Sequence, residues 1–312
     1  MNQPPLPPDP MRRSGESREG ANSHQGAPQQ SLGGRSGDWT RQAKAVPVTR
    51  RPAWRLPDGV AAGTWEYTRQ ESIAGGYQDF VSQTPLIGLD TELVLQSLPP
   101  PAGTRTRVID LGCGDGRTMR ALWDAGYDVL GVDLSQPMLR RVVAGPHGEE
   151  FRSRLVRANL VELGCIADAS ADHAVCLFST IGMIRGRNFR RQFLRHAARI
   201  VRPGGTFVLH AHNRNAAWRD RPSAVAWLRS AASAIRDSSQ ELGDRVYAYR
   251  GLADMFLHTF SRRELVQDLK ASGWAIREIV PLSVTSDAVL QKPQFLPGLR
   301  AGGFVAVAQS LG

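Results

Sequence analysis

The chain has 312 residues, 41% of them hydrophobic, enough to bury one large core. No apolar run approaches the ~20 residues needed to span a bilayer, and the opening MNQPPLPPDP lacks the apolar stretch of a secretory signal and carries acid and proline foreign to a transit peptide. The net charge is +10, yet residues 1–100 hold ten basic against ten acidic groups, so the excess falls on 101–312; only three of the 39 basic residues are lysines, a bias that weakens charge as a sign of nucleic-acid binding.

Residues 1–55 are rich in Pro, Gly, Ser, Gln and Arg without apolar periodicity, and read as a disordered tail. Order is expected from about residue 60, with one domain over 60–312. TPLIGLDTELVLQSL (84–98) has helical spacing, stopped by prolines 99–101. Strand and helix then alternate: strand 108–111, helix 118–125, strand 128–132, a helix capped by Ser135 through Val143, strands at 155–158 and 174–178, helix 188–201, and strand 206–211 after Arg202-Pro203-Gly204-Gly205. Residues 213–257 break the rhythm and read as a lid insertion, helical over 224–239 with a short strand at 245–251. Ser261 and Glu264 form a capping box before the next helix, and two closing strands follow at 274–280 and 303–309.

Such alternation predicts a parallel sheet with helices on both faces, whose ligand lies at the carboxyl ends of the strands. The first strand ends VIDLGCGDGR, with Asp110 followed by Gly112, Gly114 and Gly116 around the small Cys113. A dinucleotide fingerprint would need glycine at 117, where Arg117 stands, and no Gly-Lys-Ser/Thr of a P-loop follows. Asp133 ends the second strand, where a carboxylate can accept both ribose hydroxyls; a dehydrogenase uses the same device, so Asp133 alone leaves both readings open.

The two signals together resemble the class I S-adenosylmethionine-dependent methyltransferases, including those of the ubiquinone/menaquinone and tRNA wobble-uridine type. RANLVEL, DHAVCLFSTIGMI, RPGGTFVL and HTFSRRELVQDLKASGW resemble later family motifs, so the likeness covers about 105–280. It implies a Rossmann-like, doubly wound, seven-stranded sheet, mostly parallel with the last strand antiparallel, plus the helical lid. It implies S-adenosylmethionine as cofactor, held by Asp110, Gly112, Cys113, Gly114, Gly116, Asp133, Leu134 against the adenine, Asn159 and Leu160 at the adenine edge, and Phe178 beside the methyl group. The family often has Asp where this chain has Asn159, which brings a carbonyl but no charge.

His210 and His212 close the fifth strand on one side of the sheet and are candidate general bases; two histidines without a third ligand do not make a metal site. Trp218, Trp227, Tyr247 and Tyr249 are candidates for a pocket wall or for core. Arg187, Arg191, Arg195 and Arg199 recur every four residues, as an RNA-docking stripe or a solvated face. CLFST stands where a DNA-base amino-methyltransferase would carry Asn/Asp-Pro-Pro-Tyr, and no Pro precedes Cys176 as in cytosine-C5 methylation, so no DNA partner is expected. Cys113, Cys165 and Cys176 form no Cys-x-x-Cys pair, which points to a reduced, cytoplasmic setting. The expected reaction is direct methyl displacement onto a small-molecule acceptor, with RNA methylation or a non-catalytic cofactor-binding regulator as alternatives. The acceptor atom and the oligomeric state are not encoded in these motifs.

Overall fold

The computed structural model describes residues 55–312 apart from 77–83, 85, 103–105, 220–224, 226, 227, 229–231, 233–235, 238, 239 and 286. The expected tail over 1–55 falls, but for its last residue, outside them, as do Trp227 and the side chain of Trp218.

Nine strands are described, numbered in chain order: β1 (Arg107–Leu111), β2 (Asp128–Asp133), β3 (Leu155–Arg157), β4 (His173–Cys176), β5 (Thr206–His212), β6 (Asp244–Tyr249), β7 (Leu252–His258), β8 (Trp274–Leu282) and β9 (Gly303–Ser310). Seven make one sheet in the order β3-β2-β1-β4-β5-β9-β8. β9 runs antiparallel to both neighbours, and the other six strands are parallel, as expected. The strand order reverses between β1 and β4, which opens a crevice at their carboxyl ends.

Period-two alternation distributes the core over both faces. In β5, Phe207, Leu209 and Ala211 pack with Phe193, Leu194 and Ala197 of the helix Arg187–Ile200 and with Leu265 and Leu269 of the helix Arg262–Lys270. Val208 turns the other way, toward the helices Leu86–Ser97, Arg117–Asp124 and Gln136–Ala144. Asp110 shares Val108's face, and His210 and His212 share Val208's, so all three point to the side of these last helices. Ser135 caps its helix as expected, its hydroxyl accepting from the Met138 amide at 3.3 Å.

The insertion departs from expectation in one element. Val225, Leu228, Ala232 and Arg236 are helical, but β6 pairs with a second strand, β7, in a separate hairpin. Its turn is Arg250-Gly251, with φ of 45° and 86°, the doubly left-handed geometry that suits a two-residue hairpin. Without a flanking Asn-Gly or Asp-Gly, that turn carries little sequence signal. Ahead of the sheet lie two short helices, Ala62–Tyr67 and Glu71–Gly75, which no strong periodicity announces. Among the described residues no helix is long and apolar enough to cross a membrane.

Candidate functional site

The loop after β1 is drawn onto the end of β2 by its own backbone. The amides of Gly112 and Cys113 both donate to the Val132 carbonyl, at 2.8 and 3.0 Å. Gly112, Gly114 and Gly116 have φ of 88°, 56° and 82°. Gly112 is constrained twice. A side chain would be strained at that φ, and its Cβ would lie 2.4 Å from Thr180 Cγ2 in the turn after β4.

Asp133 has more to do than meet a ribose. One of its oxygens accepts from the Gly114 amide at 2.9 Å and the other from the Ser135 amide at 2.7 Å. The carboxylate thus ties the glycine loop to the start of the next helix, and each oxygen keeps a further lone pair for a ligand hydroxyl. Burial raises its pKa, against the backbone amides that lower it.

Asp110 is 2% exposed, and its Oδ2 has no hydrogen-bond partner. Burial pushes its carboxyl up to about 7; Arg117 opposes the rise, while Asp133, Asp90 and Asp115 add to it. Arg117 occupies the position that excluded a dinucleotide fingerprint. Its guanidinium grips Asp90 of the 86–97 helix with both ends, at 2.9 and 3.0 Å, and donates to the Ile87 carbonyl at 2.9 Å and to the Thr91 hydroxyl. Asp90 is fully buried, and burial raises its pKa against the pull of Arg117. This pair escaped the sequence analysis, although an acid at the centre of LIGLDTELVL was its signal. Cys113 is buried beneath the loop, and burial raises its thiol well above the usual range.

A cradle with two aspartates, Asp110 and Asp133, of which Asp110 presents a buried oxygen without a partner, fits a ligand that brings an ammonium group and a positive charge. The remaining acceptor capacity of Asp133 fits its hydroxyls. Leu134 is half-buried beside it.

Both ends of the Asn159 amide are engaged within the fold, and each keeps one further hydrogen-bonding position. Its amide nitrogen donates to the Asp58 carbonyl at 2.9 Å, and its carbonyl accepts from the Val161 amide at 3.2 Å. Leu160 is buried next to it. Asn159 therefore anchors the segment ahead of the sheet, which continues through a Gly59 carbonyl bonded to the Arg185 amide at 2.7 Å, a Val60–Ile184 bridge and a Glu71–Arg140 ion pair. Gly63 comes so close to β7 that a Cβ there would lie 1.9 Å from the Asp254 carbonyl oxygen. Residues 58–71 thus strap the carboxyl edge from the end of β3 to the β6–β7 hairpin. Tyr67, Tyr247 and Tyr249 stand together there, Tyr249 lying 6.1 and 6.5 Å from the other two rings. Burial pushes the Tyr247 hydroxyl up to about 12.

After β4, Phe178 and Ser179 hold φ of 54° and 59°, two consecutive non-glycine residues in a sparsely populated region. The fully buried Ser179 accepts from the His212 amide at 3.2 Å and so joins the ends of β4 and β5. His210 and His212 pack edge to face, ring centroids 5.0 Å apart. His210 is fully buried with neither ring nitrogen bonded, and a Cβ on Gly303 would lie 2.8 Å from its Nε2. His210 is thus the more enclosed of the two rings, and His212 is half-buried. Burial, with the Arg245 charge, pushes the His212 ring down to about 4.

The arginine stripe is largely spent inside the fold. Arg187 and Arg191 both bond Asp268 at 2.8 Å, and Arg199 pairs with Asp168 and donates to the Leu163 and Ile166 carbonyls at 2.8 Å. The Glu264 carboxylate does not return to its cap. It meets His258 Nε2 at 2.9 Å and Arg214 at 2.9 Å. With Glu241 these residues have a metal-like spacing, but Arg190 lies 2.5 Å from Glu241 and the guanidinium groups already balance the acids.

Residues 108–205 match the family model of a methyltransferase domain. The chain is 37% identical over 197 residues to a malonyl-[acyl-carrier protein] O-methyltransferase of Pseudescherichia vulneris, covering 62% of this chain and 64% of that protein. It is 33% identical over 110 residues to a ubiquinone biosynthesis O-methyltransferase of Bordetella avium, covering 35% of this chain and 44% of that one. The chain thus spans less than two thirds of either relative. In structure it resembles a SAM-dependent methyltransferase of Methanosarcina mazei, with TM-score 0.54, 21% identity, and coverage of 70% of this chain and 97% of that one.

Proposed function

We propose, for a chain that belongs to the class I S-adenosylmethionine-dependent methyltransferases, that it methylates an oxygen of a small-molecule acceptor. The observation that carries this reading is the acid-lined glycine cradle, with its unpartnered buried Asp110 oxygen, below a strand end that bears His212. The two O-methyltransferase relatives support oxygen as the acceptor atom.

S-adenosylmethionine supplies an activated methyl group on a sulfonium. Asp110 would hold its ammonium group and Asp133 its ribose hydroxyls. Gly112, Cys113, Gly114 and Gly116 would offer bare backbone, with Leu134, Leu160 and Phe178 as apolar neighbours. Asn159 acts by fixing the strap. His212, neutral at neutral pH, would accept a hydrogen bond from the acceptor at a ring nitrogen. A ring pushed down to about 4 is a weak base. Alignment must therefore carry most of the rate, and good alignment alone supplies ~7–11 kcal/mol. The RNA alternative loses its physical support, since three of the four stripe arginines are held by acids and carbonyls within the fold. The three free cysteines favour a reducing, cytoplasmic setting.

The test is a thermal melt with S-adenosylhomocysteine, with NAD as control, followed by transfer of labelled methyl into a fractionated extract. Ligand at about 100 times its dissociation constant should add ~2.7 kcal/mol, and Asp133→Ala should lose it. Label should enter the small-molecule fraction, and His212→Gln should lower kcat with KM little changed. A shift with NAD alone, or label confined to RNA, sinks the proposal.

A further inference from the structure

Both ring nitrogens of His258, at the end of β7, face carboxylates. Nδ1 lies 2.7 Å from Asp244 at the start of β6, and Nε2 lies 2.9 Å from Glu264 on the helix Arg262–Lys270. The ring is fully buried and packs edge to face with Phe260, centroids 4.8 Å apart. The other oxygen of Asp244 accepts from the Glu241 amide at 3.0 Å. The remaining charged groups of the cluster pair off without His258. Arg190, from the helix Arg187–Ile200, meets Glu241 ahead of β6 at 2.5 Å and stands 3.7 Å from Glu264; Arg214, after β5, meets Glu264 at 2.9 Å. Among the described residues of this cluster, two guanidinium groups thus meet three acids, and Asp244 is left for the imidazole. Glu264 is ionised there. Burial raises its pKa, but the His258 hydrogen bond and the charges of His258, Arg214 and Arg190 outweigh it and hold the carboxyl below the ordinary range.

A neutral imidazole donates at one nitrogen and accepts at the other, so it satisfies one of these carboxylates and turns a lone pair on the second. Only the imidazolium donates to both, and in a buried site the mismatch is costly. We propose that His258 carries a proton on each ring nitrogen and acts as a pH-sensitive latch, which joins the strands of the β6–β7 hairpin to each other and to the helix Arg262–Lys270, and which opens as rising pH takes one proton away. Protonation and closure favour one another, so the latch holds at lower pH and is lost as pH rises through the loss of that proton. Glu264 also holds Arg214, two residues beyond His212, so the latch sets how firmly the hairpin is tied to the end of β5. It does not depend on which acceptor is methylated.

The experiment uses the full chain and follows amide hydrogen exchange of β6 and β7 between about pH 7.5 and 10, expressed as protection so that the base catalysis of exchange itself is divided out. His212, its ring pushed down to about 4, and Tyr247, pushed up to about 12, change charge outside this window, so neither supplies the transition. Protection of the hairpin should fall about tenfold or more as pH rises and one charge-assisted hydrogen bond is lost, while β2 and β9 keep theirs. In Asp244→Asn the side-chain oxygen still accepts from the Glu241 amide, and the amide nitrogen can donate to a neutral ring at Nδ1. That hairpin should vary less than about twofold over the same range, with β2 and β9 protected as in the parent, which shows the fold intact. Nitrogen NMR of the His258 ring, assigned by its loss in His258→Gln, should show a proton on both nitrogens at about pH 7.5 in the parent and on one in Asp244→Asn. A bare ring nitrogen in the parent, hairpin protection flat in pH, the same pH dependence in Asp244→Asn, or loosening shared equally by β2 and β9 overturns the latch.

Discussion

Asp110 offers the sharpest test of the cofactor site, because its carboxyl sits between two protonation states at neutral pH. Burial pushes its pKa from the ordinary 3.8 up to about 7. Holding it ionised in the empty fold therefore costs about 4 kcal/mol at most. The sign is that of a raised acid: the stabilising contribution is complete below about pH 4 and is lost as pH rises through about 7. A ligand ammonium at Oδ2 would reverse this by favouring the carboxylate. S-adenosylhomocysteine should therefore bind about tenfold more tightly at pH 8 than at pH 6, with a proton released on binding at pH 6. Asp110→Asn should remove the pH dependence and one charge-assisted hydrogen bond, weakening binding by about ten- to a hundredfold. Its empty form should melt at a temperature that varies less between pH 5 and 8. Calorimetric titration in two buffers of different ionisation enthalpy counts the proton directly. Affinity that is flat in pH, no proton release, or parental affinity in Asp110→Asn would refute the role of this oxygen.

Two further substitutions probe the scaffold. Gly112→Ala forces a Cβ into both a left-handed φ of 88° and the Thr180 methyl, and should cost ~1–3 kcal/mol in urea unfolding while weakening S-adenosylhomocysteine binding. Arg117→Met leaves the fully buried Asp90 without its partner and should cost ~3–5 kcal/mol, most of it recovered in Asp90→Leu/Arg117→Met; a double variant no more stable than the single one would show that the pair is not the source of the loss.

The glycine loop and the strands around it were legible because their residues are local in sequence. Val108 to Arg117 carries strand, glycine turn and helix start in ten residues, and Asp133 ends the next strand, so period and punctuation suffice. What escaped are contacts between distant segments. Asn159 reads as an adenine contact by its position after β3, and nothing local announces that its amide nitrogen also donates to the Asp58 carbonyl, 101 residues away. Arg187 and Arg191 look unpaired because no acid lies on their helix, but Asp268 arrives from 81 and 77 residues downstream, respectively. His210 and His212 look equivalent by alternation, and the close approach of Gly303 on β9 to the His210 ring is a contact that the local sequence does not announce.

The same division explains why the motif names the cofactor and not the acceptor. Asp133 is held by two backbone amides, so on the proposed reading little reorganisation would be needed to receive a ribose. Asp110, in contrast, has an oxygen without a partner, which a ligand cation would satisfy. These are two acids in one cradle, one preorganised and one held at a cost. The other segments at this carboxyl edge are the strap at 58–71, which meets Ile184, the hairpin β6–β7, and the connection between β8 and β9, which Asn213 holds through the Gly298 carbonyl. The methyltransferase match at 108–205 covers none of these. The family match runs from β1 to Gly205, just ahead of β5, and on the proposed reading it holds the residues that would bind the cofactor, while segments outside it would choose the acceptor.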